Sequence, residues 1–344
     1  MKRVLSMTLV ILLILSLFIL SGCSLFMKNT EPQIVQTYPM DVAPSQVIKT
    51  ETQWVLVLNT YGKTNYKIVA GENPDSTNEI YSVDSASIWY VDANEKGIVW
   101  CEKSSEFFTY KVYLFESNKV ETISQELIEI GYQPQNIGIF QNTVYYCKVD
   151  YEQREVCILA YDTELKSASI FYKTTLDQEK QPYSINLENE YLSLVCSDCV
   201  KVFHLQKNEI VFEAKLPSDV IYAYTASYDS QNDTCAVYYA DNNSEDIVLL
   251  KKGDTKITSI FTFSEHCYAY QEKIRCYDGH IYWITQSNVS GMVTDHYRLV
   301  DYNYLSHTVT ETDKTFSFYY KDDVLYFLRF NKRGEYTHVN LCRY

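Results

Sequence analysis

Short apolar runs recur along this chain at near-equal intervals. They are Trp54–Leu58, Ile98–Cys101, Val144–Cys147, Tyr191–Val195, Cys235–Tyr239, Ile281–Ile284 and Val324–Leu328. Their starts lie roughly 45 residues apart, inside the ~40–50 residue period of propeller blades. Turn residues precede several of them: Lys96-Gly97, Gln141-Asn142, Asn232-Asp233, Asp278-Gly279 and Asp322-Asp323. A second strand follows each run and alternates more strongly, as in Tyr110–Phe115, Val156–Ala160 and Tyr297–Val300. Alternation is the mark of a half-exposed strand. A third, more polar strand comes next in most copies, for example Lys119–Ile123, Ala168–Tyr172 and His307–Glu311. Before each hairpin lies one more strand, as in Ser87–Tyr90, Asn136–Phe140, Tyr222–Thr225 and Phe316–Tyr319.

Four strands in each of seven units predict an all-β fold, a seven-bladed β-propeller with four-stranded blades. A ring of this kind leaves only short, protected sheet edges. The even spacing argues against two separate β domains, because a domain boundary would break the period. The last unit runs out at Tyr344 after its third strand, and Gln33–Tyr38 is a strand-like segment with no unit of its own. It is therefore expected to close the ring as the outer strand of the final blade.

The N-terminus reads differently. Lys2 and Arg3 precede Val4–Leu20, an apolar run of 17 residues, slightly short of the ~20 that span a bilayer. Leu20-Ser21-Gly22-Cys23 follows. A basic start, an apolar stretch and small residues form a secretory signal, and these last four residues resemble the bacterial lipobox. The resemblance implies cleavage after residue 22 and a diacylglyceryl group on the Cys23 thiol. Two acyl chains hold a protein on a membrane stably where one holds it marginally. The expected organisation is a signal peptide over 1–22, a lipidated tether over 23–32 and a single propeller domain over 33–344. Taken together, the chain resembles bacterial envelope lipoproteins with a propeller body, and loosely TolB-like proteins. WD, kelch and YWTD repeat signatures are missing.

Charge narrows the partners. The mature chain keeps 28 basic against 44 acidic residues, a formal charge of −16. That excludes phosphate-backbone recognition and hence nucleic acid, and it disfavours docking on anionic lipid heads. The membrane contact expected is the lipid on Cys23, with the protein facing outside the cytoplasm. Thirty-two Tyr and fifteen Phe suit pleated surfaces.

Outside the cytoplasm disulfides are allowed. Cys147 and Cys157 sit symmetrically about Glu152 in an apparent hairpin, so a cross-strand disulfide is the candidate pairing. Cys196-Ser-Asp-Cys199 is a lone CxxC. Without a second pair it predicts no structural metal site, and it reads as two cysteines flanking a hairpin turn. The run Asp241–Asp246 carries many oxygens but does not match an EF-hand, and its residues are those that turns favour. The six His are scattered, with no HxH or HxxxH spacing. Nucleophile-elbow, P-loop and dinucleotide motifs are absent. No cofactor, metal or catalytic residue is predicted.

In a propeller, the loops after the second strand and before the first share one face. Glu106-Phe107-Phe108, Asp150–Arg154 and Gln286–His296 fall there and place aromatic and charged groups together. The favoured function is a membrane-anchored scaffold binding an envelope protein, a wall polymer or another ligand. The alternative is an extracytoplasmic hydrolase or lyase acting on carbohydrate or peptide at the ring axis. An axial pocket with converging His, Arg or paired carboxylates would speak for the enzyme. A channel filled by Tyr and Ile would speak for the scaffold.

Overall fold

A computed structural model describes residues 31–344, apart from 60–64, 129–135, 151, 152, 154, 176–183, 197, 255–256, 264–266, 288–296, 322–323 and 332–337. The segment expected to be a signal peptide, 1–22, and Cys23 lie outside the described residues. Strand β1 (Gln33–Pro39) leads through a 3₁₀ turn at Met40–Val42 into the first blade. That blade holds β2 (Pro44–Lys49), β3 (Trp54–Asn59), β4 (Tyr66–Asn73) and β5 (Ser76–Val83). The second holds β6 (Ser87–Ala93), β7 (Gly97–Lys103), β8 (Phe107–Leu114) and β9 (Lys119–Leu127). The third holds β10 (Ile137–Phe140), β11 (Thr143–Asp150), β12 (Glu155–Asp162) and β13 (Ser167–Thr175). The fourth holds β14 (Ser184–Glu188), β15 (Tyr191–Val195), β16 (Cys199–His204) and β17 (Glu209–Lys215). The fifth holds β18 (Tyr222–Asp229), β19 (Thr234–Ala240), β20 (Glu245–Lys251) and β21 (Thr258–Phe263). The sixth holds β22 (Cys267–Tyr277), β23 (His280–Ser287), β24 (Tyr297–Asn303) and β25 (Thr308–Asp313). The seventh holds β26 (Thr315–Lys321), β27 (Val324–Phe330) and β28 (His338–Arg343).

Six blades are four-stranded antiparallel meanders, and the seventh is completed by β1 on the outer side of β28. The ring closes as the sequence suggests. Thr37 Oγ1 donates to Asn340 Oδ1 at 2.9 Å, within that last blade. The buried Tyr38 sends its hydroxyl to the Pro74 carbonyl of the first blade, also at 2.9 Å.

The burial pattern explains the hydrophobic pattern. Second strands are covered on both faces by neighbouring blades, so they read as continuous apolar runs; β19 is buried at all seven positions. Third strands alternate, as in β8. Outer strands are mostly exposed, as in β25. Each hydrophobic cluster joins adjacent blades: Cys147 and Ile158 of the third blade pack with Leu192 and Leu194 of the fourth, for example. Gly138 on β10 is required by that contact, because a Cβ there would sit 2.5 Å from the Leu187 side chain.

Turns repeat as well. Asn118, Lys166, Asn208 and His307 each take a positive φ directly before an outer strand. Gln141, Asn189, Asp233 and Asp278 do so before a second strand. Most of these are the residue types that tolerate the left-handed region.

Between inner strands, side chains supply bonds that diverging blades cannot. Asp92 Oδ2 on β6 accepts from the Ile139 N–H on β10 at 2.9 Å. Asn186 on β14 donates to the Ala226 carbonyl on β18 at 3.0 Å. Ser227 Oγ on β18 accepts from the Cys276 N–H on β22 at 2.6 Å. Lys273 on β22 donates to the Phe318 carbonyl on β26 at 3.3 Å.

Candidate ligand site on the ring axis

The first strand of every blade contributes to one axial cavity of about 610 Å³. That volume falls within the ~300–1,000 Å³ of small-ligand sites. Its walls are built by backbone irregularities. Inner strands bulge between Pro44 and Gln46, Trp89 and Val91, Ala223 and Thr225, and Thr315 and Ser317. The extra residues at two of these bulges, Tyr90 and Tyr224, line the cavity. Tyr90 has φ +40°, an unfavourable value for a bulky side chain. Bulges of this kind re-aim side chains near functional sites. A larger irregularity between Ala269 and Ile274 in β22 delivers Lys273 to the cavity.

Four charged residues meet there: Asp92, Glu188, Lys273 and Arg275. Arg275 Nη1 pairs with Glu188 Oε1 at 2.8 Å, and both side chains are largely buried. Glu188 also accepts from Asn186 Nδ2 at 2.8 Å, and Ser227 Oγ lies 2.9 and 2.7 Å from its two oxygens. Oε1 is therefore engaged by Arg275 and Asn186, and the Ser227 hydroxyl can serve one of the two oxygens, while Arg275 Nε has no hydrogen-bond partner among the described residues. Lys273 has open surface toward the cavity but is enclosed by the ring. Enclosure, reinforced by the Arg275 charge, pushes its ammonium down to about 8, although Asp92 and Glu188 pull the other way. Burial raises the Asp92 carboxyl to about 6, against the opposing pull of the Ile139 and Ala93 N–H groups, Lys273 and Arg275. Aromatic groups supply the rest of the wall: Trp89, Tyr90, Tyr224, Phe318, Tyr319 and Tyr320.

The propeller architecture is shared with solved structures at very low identity. The β-propeller domain of the trilobed protease from Pyrococcus furiosus matches with a TM-score of 0.55 and 11% identity. The match covers 84% of this chain and 91% of that one. That domain has an open velcro topology, whereas β1 and β28 share a blade here. BamB from Moraxella catarrhalis matches with a TM-score of 0.50 and 9% identity, over 91% of this chain and all of that one. TolB from Acinetobacter baumannii matches at 0.42 and 8% identity, over 69% of this chain and 61% of that one. No family model and no curated protein matches the sequence. At such identities the likeness concerns the fold alone.

None of the four axial charges was singled out in the sequence. Of the residues that were singled out, Gln286 lines the cavity and the others described sit elsewhere. Cys147 is opposite Ile158 and Cys157 is opposite Lys148. The register therefore corrects the expected facing pair. Four residues, 151–154, separate Asp150 from its partner Glu155, so the hairpin is centred between 152 and 153. A one-residue offset turns the two side chains to opposite faces of the blade. Cys147 is fully buried and Cys157 half-buried.

Cys196 and Cys199 do flank a hairpin turn, with the Cys196 N–H donating to the Cys199 carbonyl at 2.8 Å. Their sulfurs and the Asp198 carboxylate lie within 4.8 Å of one another. A hydrogen bond with Cys199, then burial, holds the Cys196 thiol well above its ordinary range. Three donors are one short of a closed tetrahedral metal site. Asp241 serves its turn, accepting from the Asn243 and Ser244 N–H groups at 2.6 and 2.7 Å.

Of the loop aromatics expected on one face, Phe108 is fully buried and belongs to the core, Phe107 is half-buried and Glu106 is exposed. Most of 150–154 and 286–296 lies outside the described residues. His204 is buried near Glu190, His280 is hydrogen-bonded to Asp301 at 2.6 Å, and His307 to Tyr302 at 2.9 Å. None of these three histidines lines the axial cavity.

Proposed function

We propose that this chain is a binding propeller, held at the outer face of a bacterial membrane by lipid on Cys23, which takes its ligand at the axis. One observation carries the binding half: all seven blades aim inner-strand side chains into a single cavity of ligand size. The lipobox supports the tether. The propeller neighbours support nothing beyond architecture, since one fold hosts many functions.

The axial cavity is neither of the two extremes weighed from the sequence. Arg275 and two carboxylates converge, which speaks for the hydrolase or lyase alternative. However, Glu188 is engaged by Arg275, Asn186 and Ser227, and Asp92 accepts backbone N–H groups. A general base needs a lone pair within reach of the substrate proton. Binding is therefore the reading the geometry favours.

The test is site-specific photo-crosslinking in intact cells. A photoreactive residue at Gln46, in the cavity wall, is compared with one at Ile170, which is exposed on the outer strand β13. A product captured from Gln46 and not from Ile170 is expected. Identical products from both positions would remove the axial site. Loss of the membrane fraction in Cys23→Ser is expected too, and unchanged membrane retention would refute the lipid tether.

A further inference from the structure

We propose that the axial cavity is built for a monoanionic ligand, a carboxylate carried on a flat or apolar body, with Lys273 and Arg275 as its anion cradle. This deepens the axial-binding reading and rests on it. Three observations lead here. First, Lys273 projects into open cavity with no carboxylate within 4.0 Å among the described residues, and its hydrogen bond goes to a backbone carbonyl, that of Phe318. Second, Arg275 stands close enough to repel it, and only one side of its guanidinium is engaged, by Glu188. Two neighbouring cations facing an open space are relieved by an anion between them. Third, the wall around this pair is aromatic, offering Trp89, Tyr224 and Tyr320 as flat contact surfaces.

The charge count selects the ligand class. Arg275 is balanced by Glu188, which leaves one ammonium without a contacting counter-charge. With both carboxylates ionised the four axial groups sum to zero, so a monoanion leaves one negative charge in excess and a dianion two. A phosphate dianion would add a second charge to a cavity already holding Asp92. A carboxylate also accepts bidentate or paired donors in the geometry that Lys and Arg present.

A proton signature follows. The groups facing the Lys273 ammonium are Arg275 on its own strand, Asp92 on β6, Glu188 on β14 and the backbone carbonyl of Phe318 on β26. The phenols of Tyr90, Tyr224, Tyr319 and Tyr320 share the cavity. An arriving anion stabilises the ammonium, so its proton affinity rises on binding. With the free group titrating at about 8, binding at pH 8 takes up as much as about half a proton from solution. Affinity therefore falls as pH rises past 8. It gains slightly below about 6, where Asp92 becomes neutral.

The experiment uses the full chain in a non-ionic detergent and three probes: benzoate, its isostere benzamide, and phenyl phosphate. Titration calorimetry is run at pH 8 in two buffers of different ionisation enthalpy. Benzoate is expected to bind on the order of ten-fold or more tighter than benzamide, from one charge-assisted pair, and with proton uptake. Phenyl phosphate is expected to bind more weakly than benzoate. Lys273→Met should erase the benzoate preference and the proton uptake, while Lys273→Arg should keep the preference and lose the uptake. Equal affinities for benzoate and benzamide in the unmodified protein overturn the proposal, whether or not any variant folds. Tighter phenyl phosphate binding overturns the charge count. The crosslinking test above can fail through an absent cellular ligand while benzoate still discriminates, so the two readings fall separately.

Discussion

Asp229 offers the sharpest test of how adjacent blades are joined. It lies at the end of β18 and is 1% exposed. Its Oδ2 accepts from the Gly279 N–H at 2.8 Å and from the Tyr304 hydroxyl at 2.7 Å, both in the sixth blade. Asn232 Nδ2 at 2.9 Å and the Gln231 N–H at 3.0 Å bind it from its own turn. Burial alone would raise this carboxyl, but these donors, the Gly279 N–H foremost, outweigh it and hold it below its ordinary value of 3.8. Asp229→Ala strands two buried donors across the blade interface. Each unpaired buried donor costs about 1–3 kcal/mol, so a loss of about 2–5 kcal/mol is expected in urea unfolding at pH 7. Adding Tyr304→Phe removes one stranded donor, so the double variant should recover about 1 kcal/mol relative to additivity. The pH dependence has a fixed sign. A carboxyl lowered by folding contributes stability above its unfolded value, and that stability is lost as pH falls through the folded value. Wild type should therefore converge on Asp229→Ala in strong acid. A loss below about 0.5 kcal/mol at pH 7, or strict additivity with Tyr304→Phe, would refute this account of the blade junction.

Three other outcomes are expected. Deleting residues 31–40 opens the ring and lowers the melting temperature; Tyr38→Ala alone should cost about 2–4 kcal/mol in chemical unfolding, and an unchanged melting point in the deletion would show that β1 does not close the fold. The hydrogen bond to Asp301 raises the His280 imidazole above 6.5, so its contribution is complete below 6.5 and disappears as pH rises through the folded value. With both side chains about a third exposed it is worth under about 1 kcal/mol, and Asp301→Asn should flatten the pH 6–8 slope of stability measured by urea titration. Lys273→Met should stabilise the protein at pH 7 by on the order of 1 kcal/mol after screening by cavity water, because folding lowers that ammonium. The gain should shrink toward pH 10, and a variant less stable than wild type across the range would contradict the placement of Lys273.

The architecture was legible because the burial of second strands is extreme. β7 and β19 are covered on both faces, which leaves a continuous apolar signature once per blade. The ring closure was legible from a deficit, a unit lacking its outer strand and a spare segment at 33–38. The axial site was not legible, for a related reason. Glu188 lies on β14, and Lys273 and Arg275 lie on β22. β14 alternates cleanly but over only five residues, β22 has no clean alternation, and neither carries a motif that marks its charges. Asp92 falls two residues beyond the strand read as Ser87–Tyr90, because the bulge at Tyr90 interrupts the alternation there. The Cys147–Cys157 pairing failed on loop parity alone, a quantity that symmetry about a single residue misjudges by one.

A repeat is found by what its copies share, and a site is made by where they differ. Radial closure brings first strands to the axis, joined among the described residues by Gln286 at the end of the second strand β23, so ligand chemistry is confined to little more than one strand in four. Within those strands the copies diverge: β10 offers Ile137, Gly138 and Ile139 where β22 offers Lys273 and Arg275. The cations are clustered on one blade, and the two carboxylates come from two others, β6 and β14. Selection for stability alone would not retain an enclosed ammonium beside a guanidinium, since removing it should strengthen the fold. The same departure from the repeat that weakens the ring is thus the feature that gives its axis a direction for charge.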